Sequence, residues 1–496
     1  MLASGLSAIE ESAVTLPIII YLVFLASNNS LTRFLNQLTN GTGYTGGIPA
    51  LLQDPAYSIG LIILIGSILS AVLLIGIVGG GFVLSAEYGT YLQAWTTNSV
   101  PVGAVLENGR KNWKRAAWTR LLTDLLTWGP VLAGIALFFL LVSGINAATP
   151  LTTAFFLVIL YSLIPIVLGI VSLIISIFTV YSIPAAIIDQ TSGLGAIGKS
   201  FRFVANNFWT TLTYIVVRFI FQFLSVLLII LASIIGLPLS SLGTVVLSLL
   251  LTPILHSTKA MIYSYGRSTE AEMPFEVFEP IWRDIGLRLP RAAWRKMRIG
   301  LSEISHFLLS PRNLPFHILA TLSLVLGIWL GDYVSTNGLV SFLGIQPGTI
   351  NPAVVQSFGP VLGIYIFLNN WLVSIATGLS GIGFGIPAFQ TILFNGFIVG
   401  LIIPAFQNLT LLLAGLLPHG TIEIPSLVLS GSIGLKLGWA ALRAKFDPTP
   451  ENRDFLSLTL RQTVYIVVGL APLFVIAGTI EGNVTPIIMR WFGWTG

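Results

Sequence analysis

The sequence predicts an all-α polytopic transmembrane bundle, with about 11 spans plus one re-entrant or half-length helix. Three observations carry this reading. Of the 496 residues, 55% are hydrophobic and 9% charged, and the mean hydropathy is +0.90; a soluble domain carries about 25% charged residues. Uncharged apolar runs of the roughly 20 residues needed to cross a bilayer recur along the chain. Finally, 22 of the 24 Lys and Arg residues fall in four segments, as expected of loops on the cytoplasmic side.

Those segments order the spans. They are Arg110 to Arg120, Lys199 to Arg218, Lys259 to Arg312 and Lys436 to Arg461; only Arg33 and Arg490 lie elsewhere. Met1 to Glu11 holds no basic residue, which argues against a cleaved signal peptide, and a first span is placed at 13–27. A second follows at 58–86. The uncharged stretch 125–188 has room for two, turning near 146–149, and 219–257 for two more, turning near 236–238. Six helices thus form a domain over 1–266 with both ends cytoplasmic.

A polar stretch at 267–312 places Glu270, Glu272, Glu276 and Glu279 before Arg283, Arg288, Arg291, Arg295, Lys296 and Arg298. Trp282, Ile285, Leu289, Ala293, Met297 and Leu301 recur every four residues or so. This spacing predicts an amphipathic linker, either on anionic headgroups or on its own bundle. Five further spans, at 314–332, 358–379, 383–403, 422–442 and 462–481, make a domain over 313–496. They leave the N-terminus cytoplasmic and the C-terminus outside. The segment 407–417 is then too short to cross and is read as re-entrant.

Absence of cysteine excludes disulfides, thiolate metal sites and a Cys nucleophile. The bases follow membrane boundaries, so the net charge of +5 is no sign of nucleic-acid binding. The expected partners are the bilayer and other membrane or envelope proteins, with self-association left open. Asn28, Asn40 and Asn408 begin glycosylation sequons.

Pro418-His419-Gly420-Thr421-Ile422-Glu423-Ile424-Pro425 is the most informative segment. It closes a run, Tyr333 to Ile422, without Asp, Glu, Lys or Arg. Ionisable groups in such surroundings are costly and mark candidate sites. His419 and Glu423, four residues apart, share one helix face. They are read either as a proton relay or ligand site, or as a Glu423 cap on the following helix. Asn370 and Asn395 either line the same cavity or serve as interhelical glue. Glu481, at the end of the last span, is a further candidate. Two ligands do not make a stable metal centre, so no metal, cofactor or catalytic residue is assigned. Gly381-x-Gly383-x-Gly385 lacks the strand and downstream acid of a dinucleotide site and is read as a tight turn. Gly327-x-x-x-Gly331, Gly396-x-x-x-Gly400 and Gly434-x-x-x-Gly438 are candidate packing motifs.

Several of these blocks together carry a resemblance. Asn369-Asn370 precedes Gly381-Ile382-Gly383-Phe384-Gly385-Ile386; then come Asn395-Gly396, the Pro418 to Pro425 block, Ser430-Gly431 and Gly434-Leu435. Ala477-Gly478-Thr479-Ile480-Glu481-Gly482 and Val484-Thr485-Pro486 end the series. In this order, over roughly 313–490, they resemble the stage II sporulation protein M family of integral membrane proteins. Ser426 departs from a frequent Ala. The resemblance implies a membrane component of a larger assembly. In endospore formers that assembly remodels peptidoglycan during engulfment, a role that does not carry over to the many members in organisms without spores. Residues 1–266 resemble uncharacterised six-helix membrane domains of prokaryotes, mainly archaeal, which imply no activity.

The expected function is therefore a non-enzymatic scaffold or assembly component in the cell membrane. The alternatives are a transporter or channel with a site at His419 and Glu423, and an intramembrane enzyme.

Overall fold

The computed structural model describes residues 2–27, 55–97, 102–145, 150–234, 251–266, 289–339, 359–406 and 409–493, and among them no strand occurs. The first half holds α1 (Leu2–Ser27), α2 (Pro55–Leu74), α3 (Gly80–Thr97), α4 (Val102–Ser143), α5 (Leu151–Phe178), α6 (Ser182–Ile188), α7 (Leu194–Asn206), α8 (Phe208–Ile234) and α9 (Thr252–Tyr265). The second holds α10 (Leu289–Leu309), α11 (Leu314–Val334), α12 (Pro360–Ser380), α13 (Ile386–Ile402), α14 (Leu409–Phe446), α15 (Pro450–Gly469), α16 (Ala471–Thr479) and α17 (Thr485–Trp491).

This is an all-α membrane protein. Among the described residues eight stretches are long and apolar enough to cross a bilayer: Ile62–Ala94, Ala104–Ser143, Thr152–Ile188, Phe208–Leu227, Pro311–Asn337, Leu362–Ser380, Leu409–Phe446 and Pro450–Trp491. Thr15–Ser27 and Ile386–Ile402 are apolar but shorter. The expected turns at 146–149 and 236–238, the linker acids with Arg283 and Arg288, and the three sequon asparagines lie outside the described residues.

One expectation needs correction. The re-entrant helix at 407–417 is not found: from Leu409 the chain runs as one 38-residue helix to Phe446, with Pro418 and Pro425 inside it. Length alone suggested a separate segment, but proline is tolerated in a spanning helix where neighbours satisfy the freed carbonyls. The extra turns prolong the helix that carries 422–442.

The boundaries 1–266, 267–312 and 313–496 divide the chain by charge order; packing groups it by contact. The chain forms one compact unit from Met1–Ile75, Leu227–Leu249 and Phe278–Gly496, and another from Gly76–Val226 and Leu250–Val277. The reason is visible in α1. Its Ile19, Tyr21, Leu25 and Ala26 are buried in one cluster with Val334, Leu393 and Phe397 of α11 and α13. Charge order along the chain does not say which apolar face a helix will cover.

In the unit containing the C-terminal half, small residues let helices approach backbone to backbone. A Cβ built on Gly327 or Gly331 of α11 would meet the carbonyl oxygens of Leu393 and Phe397, and one on Gly396 or Gly400 of α13 would meet those of Leu324 and Ile328. The two predicted motifs are thus each other's partners. Gly438, of the third motif, stands against the backbone of Gly385. That glycine closes the predicted tight turn between α12 and α13 with φ +80°, a conformation costly for a side chain. Behind this crossing, Phe307, Leu429, Ile433, Ile466, Leu470 and Phe474 form a buried core. Helix α10 rests on it: Gly300 meets Gly469 of α15, while Trp294 and Leu301 stay exposed.

The other unit is built on α3, α4 and the α6–α7 hairpin. Gly81 of α3 fits against Ala117 of α4. Tyr181, Ala185, Ala196, Phe203, Val204 and Tyr263 form its buried centre.

Candidate ion-binding site

Two interruptions of the helical ladder build the site. Pro418 and Pro425 each remove one backbone donor from α14, which bends a helix without ending it. Between them His419 and Glu423 lie one turn apart on the same face. The second interruption is the π-helical turn Ile480–Val484 between α16 and α17, a form frequent at functional sites. It carries Glu481.

These residues meet. His419, Glu423 and Glu481 each present a ligand atom, and the three atoms lie within 4.8 Å of one another. His419 Nε2 is 3.7 Å from Glu481 Oε2, and His419 Nδ1 is 3.4 Å from the Thr485 hydroxyl. Asn370 of α12 donates from Nδ2 to Glu423 Oε1 at 2.7 Å, and Asn369 Nδ2 donates to Asn370 Oδ1 at 3.2 Å. The other carboxylate oxygen, Glu423 Oε2, is buried without a hydrogen-bond partner.

Four of the five sequence candidates, His419, Glu423, Asn370 and Glu481, are therefore brought together. Asn395 is not: its Nδ2 donates to Thr391 O within α13 at 2.8 Å. Glu423 caps nothing either, because α14 begins fourteen residues earlier, at Leu409, and no unpaired helix-start donors are near it. Sequence reasoning missed Thr485, although it stands in the block that carries the resemblance.

The charge balance is unusual. Among the described residues no Lys or Arg forms an ion pair with Glu423 or Glu481; the only pairing there is with His419. Two carboxylates this close, shielded from water, need a proton or a cation between them. Imidazole and two carboxylates suit a divalent first-row metal. His419 with 12% and Glu481 with 27% of the side chain exposed leave a way in.

A second polar cluster, in the other unit, was not foreseen. His256 Nδ1 lies 2.9 Å from Glu87 Oε2. Tyr91 donates its hydroxyl to Glu87 Oε1 at 3.1 Å, and the Tyr88 ring stacks on His256. The partners are 169 residues apart, so no local spacing could signal them.

Comparison with known proteins bears on the C-terminal half. The family described as stage II sporulation protein M matches residues 317–486, the stretch that contributes every residue of the site. An uncharacterized protein of Methanocaldococcus jannaschii is 30% identical over 184 residues, covering 35% of this chain and 96% of that protein. No solved structure matches. Through its C-terminal half, this chain belongs to the stage II sporulation protein M family of membrane proteins.

Proposed function

We propose that this protein is a non-enzymatic membrane component of a cell-envelope assembly, whose C-terminal half is organised around a divalent-cation site at His419, Glu423 and Glu481. The observation that carries the cation is the convergence of three ligand atoms within 4.8 Å. The unpartnered Glu423 Oε2 supports it, since a buried carboxylate oxygen needs a partner. A cation there would clamp α14 to the last span. Asn370 would hold Glu423 in place from outside the ligand set.

What supports a non-enzymatic role is the site's chemistry. Among the described residues the hydroxyl beside His419 is that of Thr485, which is 2% exposed, and its 3.4 Å separation is longer than a working nucleophile–base pair, about 2.6–3.2 Å. A transport reading has one feature in its favour: both interruptions, the prolines of α14 and the π-turn, carry ligands, as in transporter centres.

The test uses the full-length protein purified in detergent. Stripped of metal and then titrated with Zn²⁺ or Mn²⁺, it is expected to take up one ion per chain and to melt at a higher temperature. Asn370→Leu is expected to weaken uptake roughly 10- to 100-fold. No uptake by the wild-type protein between pH 6 and 8 would leave a shared proton as the neutralising species and sink the cation reading. Flux of the same ion into proteoliposomes would decide for transport.

The basic segments support an orientation in the cell membrane with the N-terminus cytoplasmic and the C-terminus outside. The 20 residues from Glu423 to Arg443 span about 30 Å along α14, one hydrocarbon thickness. The cation site would then face the outer boundary. The native chain has no cysteine, so a Lys445→Cys label is expected to react only from the cytoplasmic side; reaction only from outside would invert the topology.

A further inference from the structure

At the other end of α14 a cavity of about 780 Å³ opens among α10, α11, α14 and α15, within the roughly 300–1,000 Å³ of small-molecule sites. Arg312, Lys436 and Arg443 line it with Trp439, Phe316 and Phe455, and among the described residues no carboxylate does. Lys436, Trp439 and Arg443 fall on one face of α14 by their spacing of three and four.

Among the described residues none of these three cations forms an ion pair. The Lys436 ammonium lies over the Phe307 ring, 5.3 Å from its centroid, and donates to Gln462 Oε1 at 2.9 Å. Gln462 in turn donates to Glu303 Oε2 at 3.0 Å, so Glu303 is linked to Lys436 through Gln462. An ammonium has three donors, and Gln462 takes one of them. Arg443 stacks on Phe455 at 5.7 Å. Aromatic stacking orients a guanidinium and leaves its donor edge free.

We infer that this cavity binds a phosphate-bearing anion through Arg312, Lys436 and Arg443. Two sources share that chemistry, an anionic phospholipid headgroup and soluble phosphate. The walls favour the lipid: Trp439 is 51% exposed beside Phe316 and Phe455, and an aromatic belt beside bases is the composition of a headgroup boundary. None of these residues belongs to the cation site, so the two proposals stand or fall separately.

Native mass spectrometry of the full-length protein in detergent, titrated with phosphatidylglycerol and with phosphatidylcholine, tests the site. The wild-type chain is expected to bind the anionic lipid at least tenfold more tightly. The double variant Arg312→Gln/Arg443→Gln should lose roughly thirtyfold, the effect of two headgroup cations. Both residues are exposed, so folding should survive, which a melting curve checks. The charge-matched control Lys445→Gln/Arg461→Gln, outside the cavity, should stay within about twofold. Excess inorganic phosphate that displaces the lipid would assign the site to soluble phosphate, and lipid that stays bound would assign it to the headgroup. Equal binding of the two lipids, or equal losses in the two double variants, would overturn the proposal.

Discussion

Gly331→Val is expected to destabilise the packing of the C-terminal half. The residue lies on a stripe in which Ser323, Gly327 and Gly331 of α11 and Ser335, which opens the π-helical turn after it, recur every four positions. Both serines donate across to α13, Ser323 Oγ to Phe389 O at 2.7 Å and Ser335 Oγ to Leu401 O at 2.8 Å. Between them, the two glycines face carbonyl oxygens of α13, and Gly396 and Gly400 face those of α11. A Cβ at Gly331 meets Phe397 O, backbone and not a movable side chain. The helices must then separate, and packing is most of what holds spans together in lipid. Overpacking a core costs about 1–3 kcal/mol, occasionally more, and rigid backbone on both sides puts this site at the upper end. We expect a melting temperature lower by roughly 5 °C or more, or no monodisperse protein in detergent, with Gly331→Ala in between. Gly169→Val in α5, where a Cβ meets nothing within 4 Å, serves as the control. A Gly331→Val protein as stable as that control would show that the crossing is not a packing determinant.

The same crossing marks what could be read from the chain. Gly327-x-x-x-Gly331 and Gly396-x-x-x-Gly400 were legible as motifs, because close approach leaves only hydrogen at those positions. That they are each other's partners was not, since any small stripe fits any other. Membrane class and helical fold followed from composition, because lipid tolerates no unpaired backbone. The continuity of α14 did not follow: 407–417 is too short to cross and read as a separate re-entrant segment, yet one helix runs from Leu409 through Pro418 and Pro425. At the site, His419 and Glu423 were legible because a charge in an apolar run is conspicuous. Glu481 is 62 residues further on from His419 and joins them only through the packing of α14 on the last span. The docking of α1 on α11 and α13 was equally hidden, as a uniformly apolar helix does not announce its partner.

Replacing Glu423 with Gln is expected to reverse the effect of metal on stability. Gln keeps the shape of the side chain and still accepts from Asn370 Nδ2, whose bond to Glu423 Oε1 is 2.7 Å in the native protein. It removes the charge of a carboxylate whose Oε2 has no partner and which shares its surroundings with Glu481. In chelator, Glu423→Gln should therefore melt at or above the wild-type temperature, because an unanswered buried charge costs about 1–3 kcal/mol or more. With Zn²⁺ or Mn²⁺ the order should invert. The native protein gains stability from its bound ion, by an amount that grows with ligand concentration over Kd. The variant, with one of three ligands lost, should gain little. Glu481→Gln should behave the same way, since its carboxylate faces His419 at 3.7 Å from the opposite helix. A purely structural Glu423 predicts something else: Gln would lower stability by the same amount with and without metal. Parallel shifts in the two conditions would therefore remove the cation from the site, while crossing curves would tie the conspicuous charge in α14 to an ion that locks the last span in place.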